Sequence, residues 1–291
     1  MTMPRRRFAI LFHENATEQT LKNYYITRLA DHWREDGHDV TFLFGVEKLV
    51  PADLVIVHVD LSVVPEIYLE FARRYPIALN AKVRDIRKST ISKNLLHRDD
   101  SYDGRVIVKS DLNYAGAPER SVGEDPSAPL SVASRLIAWV RRARSLNMGS
   151  PLDYRIYENL RQVPGRYFEQ KDLVIEKFLP EMENGWYCTR NFHFLGDRMG
   201  CIRRKGRHPI VNGSTVVETE QVNPHPEIVA MRETLGFDYG KFDYVVVDGR
   251  AVLLDVNKTI GWAGPDSPEA QARRRERAQG IYAYFRTGPQ K

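Results

Sequence analysis

One hairpin constrains this chain more than any other stretch. From Gly240 to Gly261 the sequence reads GKFDYVVVDGRAVLLDVNKTIG, with two short apolar runs, FDYVVV and AVLLDV, around the turn Asp248-Gly249-Arg250. Asp-Gly between apolar runs is a strong hairpin signal. Polar groups stand where an apolar strand bears them least, with Asp243 inside the first run and Asp255 and Asn257 ending the second. Residues two apart on a strand share a face, so Asp255 and Asn257 point the same way. Pairing across the turn places Asp243 near that end of the hairpin. Two carboxylates and an amide oxygen crowded together repel unless something cationic sits between them. Oxygen ligands of this kind suit Mg2+, which takes one or two carboxylates and completes its shell with waters and phosphates. The plainer alternative is a solvated edge hairpin with a satisfied Asp.

The rest of the chain bounds what such a hairpin can serve. Its 291 residues suffice for one sizeable core or several small ones. No apolar run approaches the roughly 18 residues that span a bilayer. FAILF near the N-terminus is too short for a signal-peptide core and reads as a first strand. Cys188 and Cys201 alone make a disulfide framework or a thiolate metal site improbable. These features point to the cytoplasm. The formal charge of +5 owes part of its excess to Arg273, Arg274, Arg275 and Arg277. On a C-terminal helix these read as a solvated face. Basic residues interleaved with exposed aromatics are lacking, so neither nucleic acid nor membrane is an expected partner. A modest basic excess also suits an enzyme that holds a polyanionic nucleotide.

The first 84 residues alternate as an open α/β sheet does. FAILF, DVTFLFG, DLVIVHVD and IALNA read as strands, with helices over 17–36, closed by Gly37, and over about 65–74. Ligands of doubly wound sheets bind beyond the strands' carboxyl ends. His13, Glu14 and Asn15 follow the first strand and Asp60 the third, as a lining for a small polar substrate or as ordinary loop and capping groups. No GxGxxG follows the first strand, so a dinucleotide site of that type is not expected. DIRKSTISKNLL then reads as a helix carrying Lys88 and Lys93, and GRVIVKSDLNYAG as a strand running into a loop. Lys109 ends an apolar run, and there either snorkels at a sheet edge or faces a buried anion. The loop around Gly116 is a weak phosphate-loop signal. Residues 119–130 read as a polar loop, 131–145 as a basic helix, DLVIEKFL as a strand interrupted by Glu176, and WYCTRNFHFLGDRMGCIRRKG as a second hairpin turning at Gly196-Asp197.

Three of these pieces, in order, resemble the ATP-grasp superfamily: VIVK, then VIEKFLPEME, then FDYVVVDG with LLDVN. The second resembles the nucleotide-hinge segment of D-alanine–D-alanine ligases. The resemblance spans about Asp85 to Gly261. It implies an α/β (α+β) chain with an N-terminal open α/β domain (1–84), a central ATP-grasp subdomain (85–180) and a C-terminal one (181–291), the last two gripping the nucleotide. It implies ATP and Mg2+ as cofactors, two ions in number and replaceable by Mn2+. By resemblance Asp243, Asp255 and Asn257 are the metal ligands. Lys88 and Lys109 approach the phosphates, Glu176 accepts from the adenine amino group, and the backbone of Lys177, Phe178 and Leu179 lies beside the base. Glu183 falls at the ribose hydroxyls, with Glu181 as its alternative. Lys241 falls near the reaction centre, and Arg190 and Arg203 on strands that face the triphosphate or substrate. Arg203 and Arg204 cannot both face the site, and Arg203 is slightly favoured. The loop after Lys109 departs from the family by its scarcity of glycine, and the second metal acid is Asp255 where Glu is more usual.

The chemistry implied is activation of a substrate carboxylate as an acyl phosphate, then displacement of phosphate by an amine, with ADP released. Such a reaction asks for charge neutralisation and alignment more than for covalent help. The expected partners are a small carboxylate and an amine, and a homodimer is one assembly open to the chain. A small-molecule kinase on the same fold and a non-catalytic nucleotide-binding module are the alternatives. Trp186 and Trp262 read as core residues.

Overall fold

The computed structural model describes residues 4–123, 154–262 and 267–286. Strands β1 (Arg7–Phe12), β2 (Asp39–Phe44), β3 (Leu54–Val57) and β4 (Ala78–Leu79) form a parallel sheet in the order β2-β1-β3-β4. Parallel sheets are covered on both faces, so central strands carry unbroken apolar runs. That is why all of β3 and all of β1 after Arg7 are buried. Helices α1 (Glu18–Leu21) and α2 (Tyr25–Glu35) cover one face, with Ile26, Leu29, Ala30 and Trp33 buried. Helix α3 (Glu66–Ala72) covers the other with Tyr68, Leu69 and Phe71. Gly37, at φ 88°, ends α2 in a conformation that favours glycine.

The sequence predicts one helix over 17–36, and the structure breaks it at 22–24. Tyr24 is extended there and bridges Gly261. Tyr25 N–H donates to Ile260 O at 2.8 Å, and Asn23 O accepts from Trp262 N–H at 2.6 Å. The backbone groups that a continuous helix would use are spent on a distant segment.

Residues 85–180 hold α4 (Lys88–Ile91), α5 (Ala117–Gly123) and an antiparallel sheet of β5 (Val106–Ser110), β6 (Arg155–Tyr157) and β7 (Leu173–Lys177), with β5 in the middle. The helix expected from DIRKSTISKNLL is a single turn. Beyond it the chain runs along β7, with Leu96 N–H on Ile175 O at 2.8 Å and Lys177 N–H on Asn94 O at 2.9 Å. The open sheet edge outbids the helix. The polar loop expected over 119–130 is helical as far as Gly123. Its remainder and the basic helix of 131–145 lie outside the described residues.

The third sheet is antiparallel. It contains β8 (Glu181–Glu183), β9 (Trp186–Leu195), β10 (Arg198–Gly206), β11 (Glu218–Val222), β12 (Tyr239–Val247) and β13 (Arg250–Asn257), ordered β11-β10-β9-β12-β13, with β8 also paired to β9. Asp248 and Gly249 both take positive φ, 51° and 74°, which is the type I′ turn that matches strand twist. Phe192, Phe194 and Phe242 pack on one face beside α6 (Pro226–Thr234), where Arg232 lies 4.4 Å over the Phe194 ring.

Helix α7 (Pro268–Ala278) bears out the expectation of a solvated basic face at Arg273 and Arg275, which are exposed, and corrects it at Arg274 and Arg277. Arg274 is buried and lies 4.7 Å over Trp262, Arg275 pairs with Glu35 at 2.8 Å, and Arg277 donates to Arg198 O. Trp262 and the backbone of β10 are available to Arg274 and Arg277, so these two pack, while the Arg275–Glu35 pair stays at the surface.

The chain divides into two compact units, Met1–Arg84 with Glu181–Lys291, and Asp85–Pro180. In the first, Phe8, Ile10, Leu29 and Trp33 share a core with Leu195, Tyr239 and Ile281, so the parallel and six-stranded sheets pack as one body.

Candidate active site

The hairpin sets its polar residues by register. Asp243 stands opposite Asp255, and Lys241 opposite Asn257. On the other side of β12, Asp243 stands opposite Asn191 and Lys241 opposite His193. Strand alternation puts all six on one face of the sheet. The contacts agree. Lys241 Nζ lies 2.8 Å from Asp243 Oδ2, and Asn191 Nδ2 donates to Asp243 Oδ1. Burial pushes the His193 imidazole down to about 3, and the neighbouring Lys241 charge helps, so it is neutral at physiological pH. Asn257 Oδ1 accepts from Thr259 N–H at 2.7 Å, which fixes its oxygen end.

Like charges directly opposite on paired strands are destabilising unless compensated. Lys241 compensates one acid, and a divalent cation would compensate both. Among the described residues no group of three His, Cys, Asp or Glu side chains makes a metal site. The donor set is two carboxylates and an amide, all oxygen, which fits Mg2+ with the rest of its shell supplied by phosphate and water.

The same alternation decides between the arginines. Arg203 pairs with Arg190 and Arg204 with Thr189 across β9 and β10. Thr189 shares the face of Asn191 and Asp243, so Arg204 does too. Arg190 and Arg203 occupy the opposite face, where both bind Glu181, at 2.9 Å and 2.8 Å. The expectation that Arg190 and Arg203 face the site is therefore corrected. Arg204 is the arginine on the acid face, and its Nε is buried with no hydrogen-bond partner. Glu183 is likewise drawn to the other face, held by Arg203 at 2.9 Å and Lys205 at 2.5 Å. Those hydrogen bonds pull its carboxyl down to about 2. The alternative, Glu181, also accepts from Val246 N–H and from both arginines. Burial opposes its ionisation, but these donors win and its carboxyl sits below the usual range. Neither glutamate is presented beside Asp243 and Asp255.

In the unit of residues 85–180, Lys109 and Glu176 form a buried ion pair of 2.6 Å. They are diagonal neighbours, because Ile107 and not Lys109 stands opposite Glu176. The pair engages Glu176 Oε2, and Glu176 Oε1 is buried with no hydrogen-bond partner. An orphaned buried carboxylate oxygen suits an amino donor such as that of adenine. Lys177 and Phe178 spend their N–H groups on Asn94 O and Arg105 O, so they offer a base no donor from those positions. Lys88 is buried at the end of β5, its Nζ 3.5 Å from Leu112 O and its N–H on Asp111 O. Just beyond, Tyr114, Ala115 and Gly116 take φ of 48°, 52° and 73° in succession. Two of the three are not glycine, so this glycine-poor loop reaches the left-handed region at a cost in strain.

The carboxyl ends of β1 and β3 flank the point where strand order reverses, and Asp60 lies there. It is half-buried, and both its oxygens have partners. Its Oδ1 accepts from Thr259 Oγ1 at 2.5 Å and its Oδ2 from Tyr24 Oη at 2.8 Å. His13 stacks on Tyr68 with ring centres 5.5 Å apart, and Glu14 N–H donates to the same Tyr68 hydroxyl. Sequence reasoning passed over Asn191 and Thr259, and weighed Arg204 but favoured Arg203. An Asn inside the apolar run NFHFL was the one signal for the first.

No protein-family model and no curated protein matches the chain. Solved structures do. The ATP-grasp ligase PsnB, complexed with a minimal precursor, aligns over 98% of this chain and 100% of its own at 10% identity, with a TM-score of 0.53. An ATP-grasp RimK-domain protein from Sphaerobacter thermophilus aligns over 97% and 100% at 12% identity, with a TM-score of 0.49. D-alanine–D-alanine ligase from Bacillus anthracis, complexed with ATP, aligns over 96% and 97% at 12% identity, with a TM-score of 0.46. Identities this low speak to fold, and the PsnB alignment carries the comparison. Its extent, over nearly the whole of both chains, leads to one conclusion: this chain has the ATP-grasp fold.

Proposed function

We propose that the chain is an ATP-dependent ligase that activates a substrate carboxylate as an acyl phosphate and couples it to an amine, releasing ADP and phosphate. The observation that carries this reading is the single sheet face on which Lys241, Asp243, Asp255, Asn257 and Arg204 stand together. Acids alone would suit a metal-binding module. Acids with an adjacent lysine and an arginine whose Nε lacks a hydrogen-bond partner suit the handling of phosphate and carboxylate charge. Asp243, Asp255 and Asn257 would hold Mg2+, which when bound offsets phosphate charge. Arg204 and Lys241 supply the remaining positive charge on that face, one as a planar fork and one as a point charge. Within the unit of residues 85–180, Lys109 and Lys88 are cations suited to phosphate, and Glu176 Oε1 is an acceptor suited to the amino group of a base. His193, being neutral, adds no charge beside the Lys241–Asp243 pair.

The test is a screen of carboxylates with MgATP, run with hydroxylamine as the trapping amine. The ligase reading expects ADP and a hydroxamate in equal amounts. ADP without hydroxamate would favour a kinase, AMP with pyrophosphate would reject the acyl phosphate, and nucleotide binding without turnover would favour a binding module.

A further inference from the structure

We propose that Thr259 and Asp60 position the amide oxygen of Asn257, making the end of the parallel sheet part of the machinery that assembles the metal site. The inference rests on the ligase reading, in which Asn257 is a metal ligand. An asparagine presents either an oxygen or a nitrogen, and only the oxygen serves a metal. Thr259 N–H, 2.7 Å from Asn257 Oδ1, makes that choice. Where the N–H sits is decided by the rest of Thr259, whose hydroxyl is held by Asp60. Asp60 is held in turn by the Tyr24 hydroxyl on its other oxygen.

The tie is continuous along the chain. Lys258 is fully buried and its Nζ donates to Leu61 O, next to Asp60. Ile260 O accepts from Tyr25 N–H, Gly261 bridges Tyr24, and Trp262 N–H donates to Asn23 O. Every residue from 258 to 262 is thus fastened to the first 62 residues. This also accounts for the break between α1 and α2, since the residues there are the ones that fasten it. A turn of helix is given up, and the strap that follows the metal hairpin is fixed in return. Thr259 and Asp60 are positioning residues. Neither needs to touch substrate or metal.

Outer partners of metal ligands commonly govern affinity by about tenfold to a hundredfold. The experiment is a Mn2+ titration of the full chain with a non-hydrolysable ATP analogue, bound metal being read by electron paramagnetic resonance. Turnover against Mg2+ and the thermal midpoint are measured alongside. Thr259→Val keeps the branched shape and removes the hydroxyl. It should weaken protein-dependent Mn2+ binding by about ten- to a hundredfold and raise the half-saturating Mg2+ more than it lowers kcat. Thr259→Ser should restore both, a rescue that a purely structural role would not require. If Thr259→Val melts early, Tyr24→Phe removes only the far tether and should shift Mn2+ binding in the same direction by less. Unchanged Mn2+ binding in folded Thr259→Val and Tyr24→Phe, with wild type active, overturns this inference alone. Wild type that neither binds Mn2+ nor consumes ATP overturns the ligase reading and this inference with it.

Discussion

Asp243 and Asp255 face one another across two strands, and what each neighbouring side chain does follows from that placement. Lys241 and Asn191 already engage Asp243. Arg204, two positions along β10 from the residue opposite Asn191, shares their face, whereas Arg203, its neighbour in sequence, does not. The two arginines therefore separate by experiment. Arg204→Met should lower kcat/KM at least about tenfold, an activation cost near 1.4 kcal/mol, and leave the thermal midpoint unchanged. Arg203→Met should do the reverse. It strips Glu181 of one buried partner, which costs about 3 kcal/mol or more in such pairs, read by urea unfolding.

The elements show how far the sequence was legible. The β12–β13 hairpin was readable because two signals agreed, a two-residue strand period and an Asp-Gly turn. Gly249→Ala tests the turn. Its Cβ would meet nothing within 4 Å, so the expected loss of about 1–2 kcal/mol is that of left-handed backbone alone. The strands that carry Lys109 and Glu176 were readable for the same reason, being short apolar runs interrupted by one charge. Three things were not. The break at Tyr24 depends on Ile260 and Trp262, whose approach no local pattern announces. The one-turn α4 depends on the open edge of β7. The facing of Arg204 instead of Arg203 depends on the register between β9 and β10, and a one-residue slip exchanges every side chain between faces. Local periodicity carries none of these.

At the scale of the molecule, the unit formed by Met1–Arg84 and Glu181–Lys291 joins two distant parts of the sequence through one core. Its interior also holds His58, fully buried against Tyr24 and Tyr239, both ring nitrogens lacking a partner. Burial, helped by the Lys258 charge, pushes its imidazole from 6.5 down to about 3. The folded value lies below the unfolded one, so the unfolded chain binds the proton first as pH falls. Stability from this group is complete above about pH 6.5 and is lost as pH falls toward 3, at about 1.4 kcal/mol per pH unit. His58→Phe should match or exceed wild-type stability at pH 7.5 and lose less of it at pH 5.5 by roughly that amount, measured by urea unfolding at both pH values. Equal losses would show that His58 is not held neutral.

The proposed function stands or falls on whether the acid face activates a carboxylate with ATP. The direct measurement is hydroxamate formation from MgATP, a carboxylate substrate and hydroxylamine, comparing wild type with Asp255→Ala. Wild type should yield hydroxamate matched by ADP, and Asp255→Ala, still folded, should yield neither. Release of AMP and pyrophosphate, or near-wild-type hydroxamate from Asp255→Ala, would contradict it.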